Sequence, residues 1–176
     1  GCFTNCMKTD FQGVVALNDR KAITPMGQSL SAVYIHIIFS TKRRYRFLDE
    51  EIRARMWQYL GGICNRLKCL PIQIGGMDDH AHLLTMLARD ITLMELVGKL
   101  KSESSRWIKS VSRRHEFFAW QSGYGAFSIN SAEKDRVVEY IVNQEAHHQR
   151  VDYCTEMRMF LDYYGIQCDE RYLFDD

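Results

Sequence analysis

Residues 32–40 read AVYIHIIFS, a run of β-branched, aliphatic and aromatic side chains without Asp, Glu, Lys or Arg. A run of this kind is a buried strand, so the rest of the chain must supply what buries it. Asp49 is placed to cap a helix over about 50–68, with Ile52, Met56, Leu60, Ile63 and Leu67 on one stripe, and Pro71 stops it. Residues 71–77 (PIQIGGM) and 80–87 (HAHLLTML) read as two strands joined by a tight Asp78-Asp79 turn. Thr92 caps a helix over about 93–111, with Leu93, Leu96, Leu100 and Trp107 facing inward. Residues 117–129 (FFAWQSGYGAFSI) form a strand or two short extended pieces. Ser131 caps a third helix over about 132–149, and a fourth runs near 155–164 until Gly165 ends it. The order β-α-β-β-α-β-α, with its hairpin, predicts an α+β fold: an antiparallel sheet with helices on its faces.

Length and composition agree. A chain of 176 residues is one domain, long enough to bury a full core. With 46% hydrophobic and 26% charged residues it is neither disordered nor fibrous. No apolar run approaches the ~18 residues needed to span a bilayer, so no membrane partner is expected. Residues 1–25 hold Asp10, Asp19, Arg20 and Lys21 and lack the apolar stretch of a secretory signal. They read as an N-terminal extension, residues 26–165 as the domain, and 166–176 as an acidic tail. The six cysteines at 2, 6, 64, 69, 154 and 168 form no C-x-x-C pair and read as free thiols of a cytoplasmic protein.

Net charge is only +1, but it is unevenly placed. Residues 31–114 carry 15 basic and 8 acidic groups; residues 115–176 carry 5 and 12. That split suits a polyanion-binding face kept away from an acidic end, although solvated surface charge accounts for the same counts. The basic groups form two clusters. Lys42, Arg43, Arg44 and Arg46 follow the first strand; Lys99, Lys101, Arg106, Lys109, Arg113 and Arg114 lie on or just after the second helix. Phosphate contacts from such groups give salt-dependent binding. Tyr45, Trp107 and Trp120 can stack on unpaired bases or serve as core residues.

Two patterns carry possible chemistry. His80 and His82 flank Ala81, and on a strand residues two apart share a face while the one between points the other way. Two imidazoles so placed can share one metal ion, or be ordinary histidines near a strand end. On the third helix, Tyr140, Gln144 and His147 fall on one face, a turn apart. They could supply a nucleophile, a further metal ligand and a proton acceptor, or form a solvated stripe.

Four stretches in chain order are more specific than either pattern: AVYIHIIFSTKRR at 32–44, GGMDDHAHLL at 75–84, WQSGYGAFS at 120–128 and YIVNQEAHH at 140–148. Together they resemble the single-tyrosine transposases of the HUH nuclease superfamily. Those enzymes move insertion sequences as single-stranded DNA, and domesticated relatives act on repetitive extragenic palindromes. Their histidine motif usually has a bulky apolar residue where this chain has Ala81, a difference of packing rather than ligation.

The resemblance implies a central antiparallel sheet flanked by helices, in a ferredoxin-like, RRM-like sandwich. It implies His80 and His82 as paired metal ligands, Gln144 as the side chain completing the site, and Tyr140 as the nucleophile. It further implies Mg²⁺ or Mn²⁺, single-stranded or hairpin DNA as substrate, and a homodimer. The chemistry is coherent. A tyrosine (reference pKa about 10) needs activation at neutral pH, and a covalent phosphotyrosine keeps the ester energy for rejoining. Two other readings remain open at this level. One is a non-catalytic or domesticated hairpin-binding protein of the same fold. The other is a zinc hydrolase using His80 and His82, which lacks a clear third ligand and a metalloprotease-type acidic base.

Overall fold

The structure, a computed structural model, describes residues 30–168. Four strands form its centre: β1 (Tyr34–Ser40), β2 (Leu70–Gly76), β3 (His80–Met86) and β4 (Gly125–Ile129). They pair in the order β2-β3-β1-β4, every pair antiparallel. The extension expected at 1–25 and most of the tail expected at 166–176 lie outside the described residues. No helix of the described residues is long and apolar enough to cross a membrane.

The two-residue period of the strands sorts their side chains to two faces. Ile35, Ile37 and Phe39 of β1 join Ala81 and Leu83 of β3 in the main core. That face is covered by α1 (Glu50–Arg66) and α2 (Leu93–Val111), whose Ile52, Met56, Leu60, Ile63, Leu96 and Leu100 are buried. The opposite face carries His36, His80 and His82, with Ile38, Leu84, Phe127 and Ile129 around them. Over it lie α3 (Lys134–Val142), α4 (Gln144–His148) and α5 (Tyr153–Tyr164).

Local chemistry sets the ends of these elements. The Asp49 carboxylate accepts from Ile52 N–H and opens α1. Thr92 and Glu95 cap α2 reciprocally, a device worth about 1 kcal/mol. Gly165, at φ 63°, closes α5 in the left-handed conformation that favours glycine.

The structure corrects the expected boundaries in three places. Helix α1 stops at Arg66, and Lys68, at φ 58°, turns the chain before Pro71 is reached. Pro71 sits in β2, as the strand expected over 71–77 has it; β2 is an edge strand with a register shift between Pro71 and Gln73. An edge strand tolerates a residue with no N–H to give. Asn130 rather than Ser131 provides the cap before α3, its side chain accepting from Ala132 N–H. The single helix expected over 132–149 is broken at Asn143 (φ −92°, ψ 20°) into α3 and α4. Residues 117–129 resolve into a bridge between Trp120 and Thr41, followed by β4. Trp120 is a core residue whose Nε1 donates to Ser104 Oγ at 2.8 Å, and Trp107 stacks on Tyr59 at 4.8 Å.

One close approach fixes α3 against the β2–β3 hairpin. A Cβ at Gly75 would lie 2.8 Å from both Cγ2 and the carbonyl oxygen of Ile141. The helix thus rests where only a glycine leaves room. Gly75→Ala should therefore destabilise the fold by about 1–3 kcal/mol, read as a lower urea midpoint. Gly98→Ala on α2, where nothing lies within 4 Å of the added carbon, should leave the midpoint equal or raise it.

Candidate active site

Antiparallel pairing of β1 with β3 builds the floor of the site. Ile38 faces His82 and Ser40 faces His80, which leaves His36 diagonal to His82 on the same face. The imidazoles of His80 and His82 lie 5.1 Å apart between centroids, and both are buried. Each is oriented by a neighbour behind it. His80 Nδ1 lies 2.6 Å from Asp79 Oδ1, and Asp79 Oδ2 accepts from Arg44 Nε at 2.9 Å and Nη2 at 2.6 Å. Burial would raise the Asp79 pKa, but His80 and Arg44 bring it down to about 2. His82 Nδ1 lies 3.0 Å from His36 Nε2. Burial first, then the neighbouring His82, depresses the His36 pKa well below the usual value, so His36 is a neutral partner. These contacts hold both rings with Nε2 pointing into the site.

The roof comes from the helices. Tyr140 donates its hydroxyl to Glu156 Oε1, with His147 Nε2 at 3.4 Å. Gln144 Nε2 donates to the same Oε1 at 3.2 Å, and its Oε1 lies 3.4 Å from His80 Nε2. Glu156 Oε2 faces His82 Nε2 at 3.4 Å and His148 Nε2 at 3.5 Å. Burial acts to raise the Glu156 pKa, yet His82, His148 and His80 hold the carboxyl far below its ordinary range. Tyr140 is pushed strongly upward, by burial first and by the Glu156 charge second, so its resting form is the phenol.

The site fits a metal ion. Three buried atoms here, His82 Nε2, His148 Nε2 and Glu156 Oε2, have no hydrogen-bond partner. His80 Nδ1 faces Asp79, which leaves its Nε2 turned toward the Gln144 oxygen. Nitrogen and oxygen atoms able to bind a cation thus meet here from several sides. Among the described residues, His80, His82, His148 and Glu156 bring one ligand atom each to within 4.8 Å of one another.

The structure thus brings Tyr140, His80, His82 and Gln144 together within one chain, with the His82 and Tyr140 rings 6.0 Å apart. Pattern reading missed His36, Asp79, His148 and Glu156. A polar residue inside an apolar strand marked His36. Glu156 stands between Tyr153 and Met157, both buried, so a carboxylate on an apolar helix stripe was the signal there.

The basic residues divide. Lys42, Arg43 and Arg46 are exposed beside the exit of β1, near His80, and Arg46 lies 3.7 Å from Asp78. Arg44 is turned inward onto Asp79 and over the Tyr153 ring at 4.5 Å. Lys99 and Arg106 are exposed on α2, across the sheet from the histidines. Lys101 donates to the carbonyls of Gln121 at 2.8 Å and Ser122 at 3.1 Å, bracing the segment before β4.

The candidate site is thus a four-stranded antiparallel sheet bearing paired histidines on one face, under a helix bearing tyrosine. The family model described as "Transposase IS200 like" matches residues 29–144. The chain belongs to that family, the tyrosine transposases of the HUH superfamily. No curated protein matches it significantly. Several solved structures share its fold, two of which follow. One is a candidate transposase from Deinococcus radiodurans R1, 20% identical, covering 69% of this chain and 98% of its own, at a TM-score of 0.55. The other is a REP-associated tyrosine transposase bound to a REP hairpin, 15% identical, covering 68% of this chain and 70% of its own, at a TM-score of 0.52.

The Arg44–Asp79 pair yields a test. Arg44→Ala removes both guanidinium donors from a nearly buried carboxylate. Unfolding in urea should show a loss of about 1–3 kcal/mol, and an unchanged midpoint would mean that Arg44 does not support the site.

Proposed function

We propose that this transposase cuts one strand of a single-stranded or hairpin DNA and holds the cut end on Tyr140 as a 5′-phosphotyrosine. The observation that carries the reading is the meeting of the Tyr140 hydroxyl with a buried, metal-competent cluster inside one chain. The Tyr140 oxygen attacks the phosphorus while the bond from phosphorus to the 3′ oxygen breaks, and the departing 3′ oxygen takes a proton from water to become a 3′ hydroxyl. Glu156, already accepting the hydroxyl hydrogen bond, is placed to receive the proton. A divalent ion, Mg²⁺ or Mn²⁺ on the family resemblance, held by His80, His82 and Gln144, would draw charge from the scissile phosphate. The ester energy kept on Tyr140 allows rejoining to another end without ATP.

The hairpin carried by the REP-associated neighbour supports hairpin DNA as the substrate class. Lys42, Arg43 and Arg46 border the histidine end of β1 and are the first candidates for its phosphates; Arg44 supports them from within; Lys99, Lys101 and Arg106 form an outer set. The reading includes a homodimer, with β2 and β4 as the sheet edges open to a second copy.

Two measurements test it. Incubated with labelled hairpin-flanking DNA and Mn²⁺, the protein should give an adduct that survives denaturing electrophoresis. Tyr140→Phe should abolish the adduct while retaining DNA binding; binding without any adduct in the unmutated chain would favour the non-catalytic reading. Affinity should also fall steeply with salt. Replacing Lys42 and Arg46 together by Ala should reduce the log–log slope by about 1–2, whereas a slope near zero in the unmutated protein would remove the phosphate-binding role.

A further inference from the structure

We propose that the metal centre of this chain is a four-donor site in which His148 and Glu156 join His80 and His82, and that it takes a zinc-class ion (Zn²⁺, Co²⁺ or Mn²⁺) in preference to Mg²⁺. This rests on the reading above for a divalent ion held by His80 and His82, and it puts His148 and Glu156 in the place given there to Gln144. Both added donors come from beyond residue 144, where the family match ends.

The two oxygens of Glu156 have different surroundings. Oε1 is occupied by the Tyr140 hydroxyl and the Gln144 amide. Oε2 has no hydrogen-bond partner and looks at two imidazole nitrogens that also lack one. Its separations from them are 3.4 Å to His82 Nε2 and 3.5 Å to His148 Nε2. Two ligands on a tetrahedral ion with bonds of about 2.1 Å lie roughly 3.4 Å apart. These two spacings match those of ligands sharing one ion, and all four donors lie within 4.8 Å of one another.

Three of the donors are fixed from outside, as metal ligands are when their orientation matters. Asp79 holds His80, His36 holds His82, and Gln144 with Tyr140 holds Glu156 through the oxygen turned away from His82 and His148. Gln144 thereby acts as a positioning residue for Glu156. His147 stays outside the set, its Nε2 lying toward Tyr140 and Oε1. The donors are three imidazole nitrogens and one carboxylate oxygen. Nitrogen-rich sets suit Zn²⁺, Co²⁺ and Mn²⁺, while Mg²⁺ demands oxygen and keeps its water.

Titration of the metal-free full chain with Zn²⁺, Mn²⁺ and Mg²⁺, without DNA, tests the proposal by calorimetry. Zn²⁺ and Mn²⁺ should bind more tightly than Mg²⁺. Glu156→Gln and His148→Ala should each weaken Zn²⁺ binding by at least about tenfold, and Gln144→Ala by less than either. Zn²⁺ affinity within twofold of the unmutated chain in both ligand variants, or tighter binding of Mg²⁺, would overturn the assignment. Should a variant not fold, the unmutated chain loaded with Co²⁺ decides by proton NMR. Three imidazole N–H signals shifted by the paramagnetic ion are expected, and two would leave His148 outside the site. Loss of the Tyr140 adduct with these metal results intact would strike the function and spare the centre.

Discussion

A single carboxylate removed from water organises this molecule. Glu156 is 2% exposed, and stripping a carboxylate of solvent costs several kcal/mol unless neighbours replace what water gave. Here they come from three elements: His82 from the sheet, Tyr140 from α3, and Gln144 and His148 from α4. Helix α5 is therefore part of the candidate site. Met157 and Tyr153, flanking Glu156 along α5, pack with Ile38 and Phe127 of the sheet and hold the carboxylate at its depth.

The same economy runs through the floor of the site. Arg44 supports Asp79, Asp79 fixes His80, and His36 fixes His82, so the support of the two central rings runs two contacts deep behind His80 and one behind His82. Arg43 and Arg44 both adopt positive φ, 51° and 58°, a conformation that costs most residues about 1–2 kcal/mol. The strain accompanies the turn that brings the Arg44 guanidinium inward. A run that reads as four phosphate contacts contributes one of its charges to the protein's own architecture.

Much of this was legible in the sequence, because the legible parts are local. The period of two in β3 puts His80 and His82 on one face and Ala81 in the core. Asp49 and Thr92 announce α1 and α2, since capping needs only the next three residues. The remainder depends on contacts between distant segments. Asn143 breaks a helix whose apolar pattern runs through it, and Glu156 meets His82 across 74 positions only because two helices fold back over the sheet. Charge counting has the same limit: nothing near Lys101 tells that it will also brace the carbonyls of Gln121 and Ser122.

The contact at Gly75 bears on how this enzyme tolerates change. The main chain of the hairpin meets Ile141, carbonyl included, with no side chain of its own between them. The gap separating the helix of Tyr140 from the edge strand β2 is therefore a hard mechanical stop, like two machined faces without a gasket. Compressible layers transmit every change of side-chain volume; a stop does not. Neighbouring apolar residues can drift in size while the reach of Tyr140 stays the same, and only the displacement of a whole element alters it.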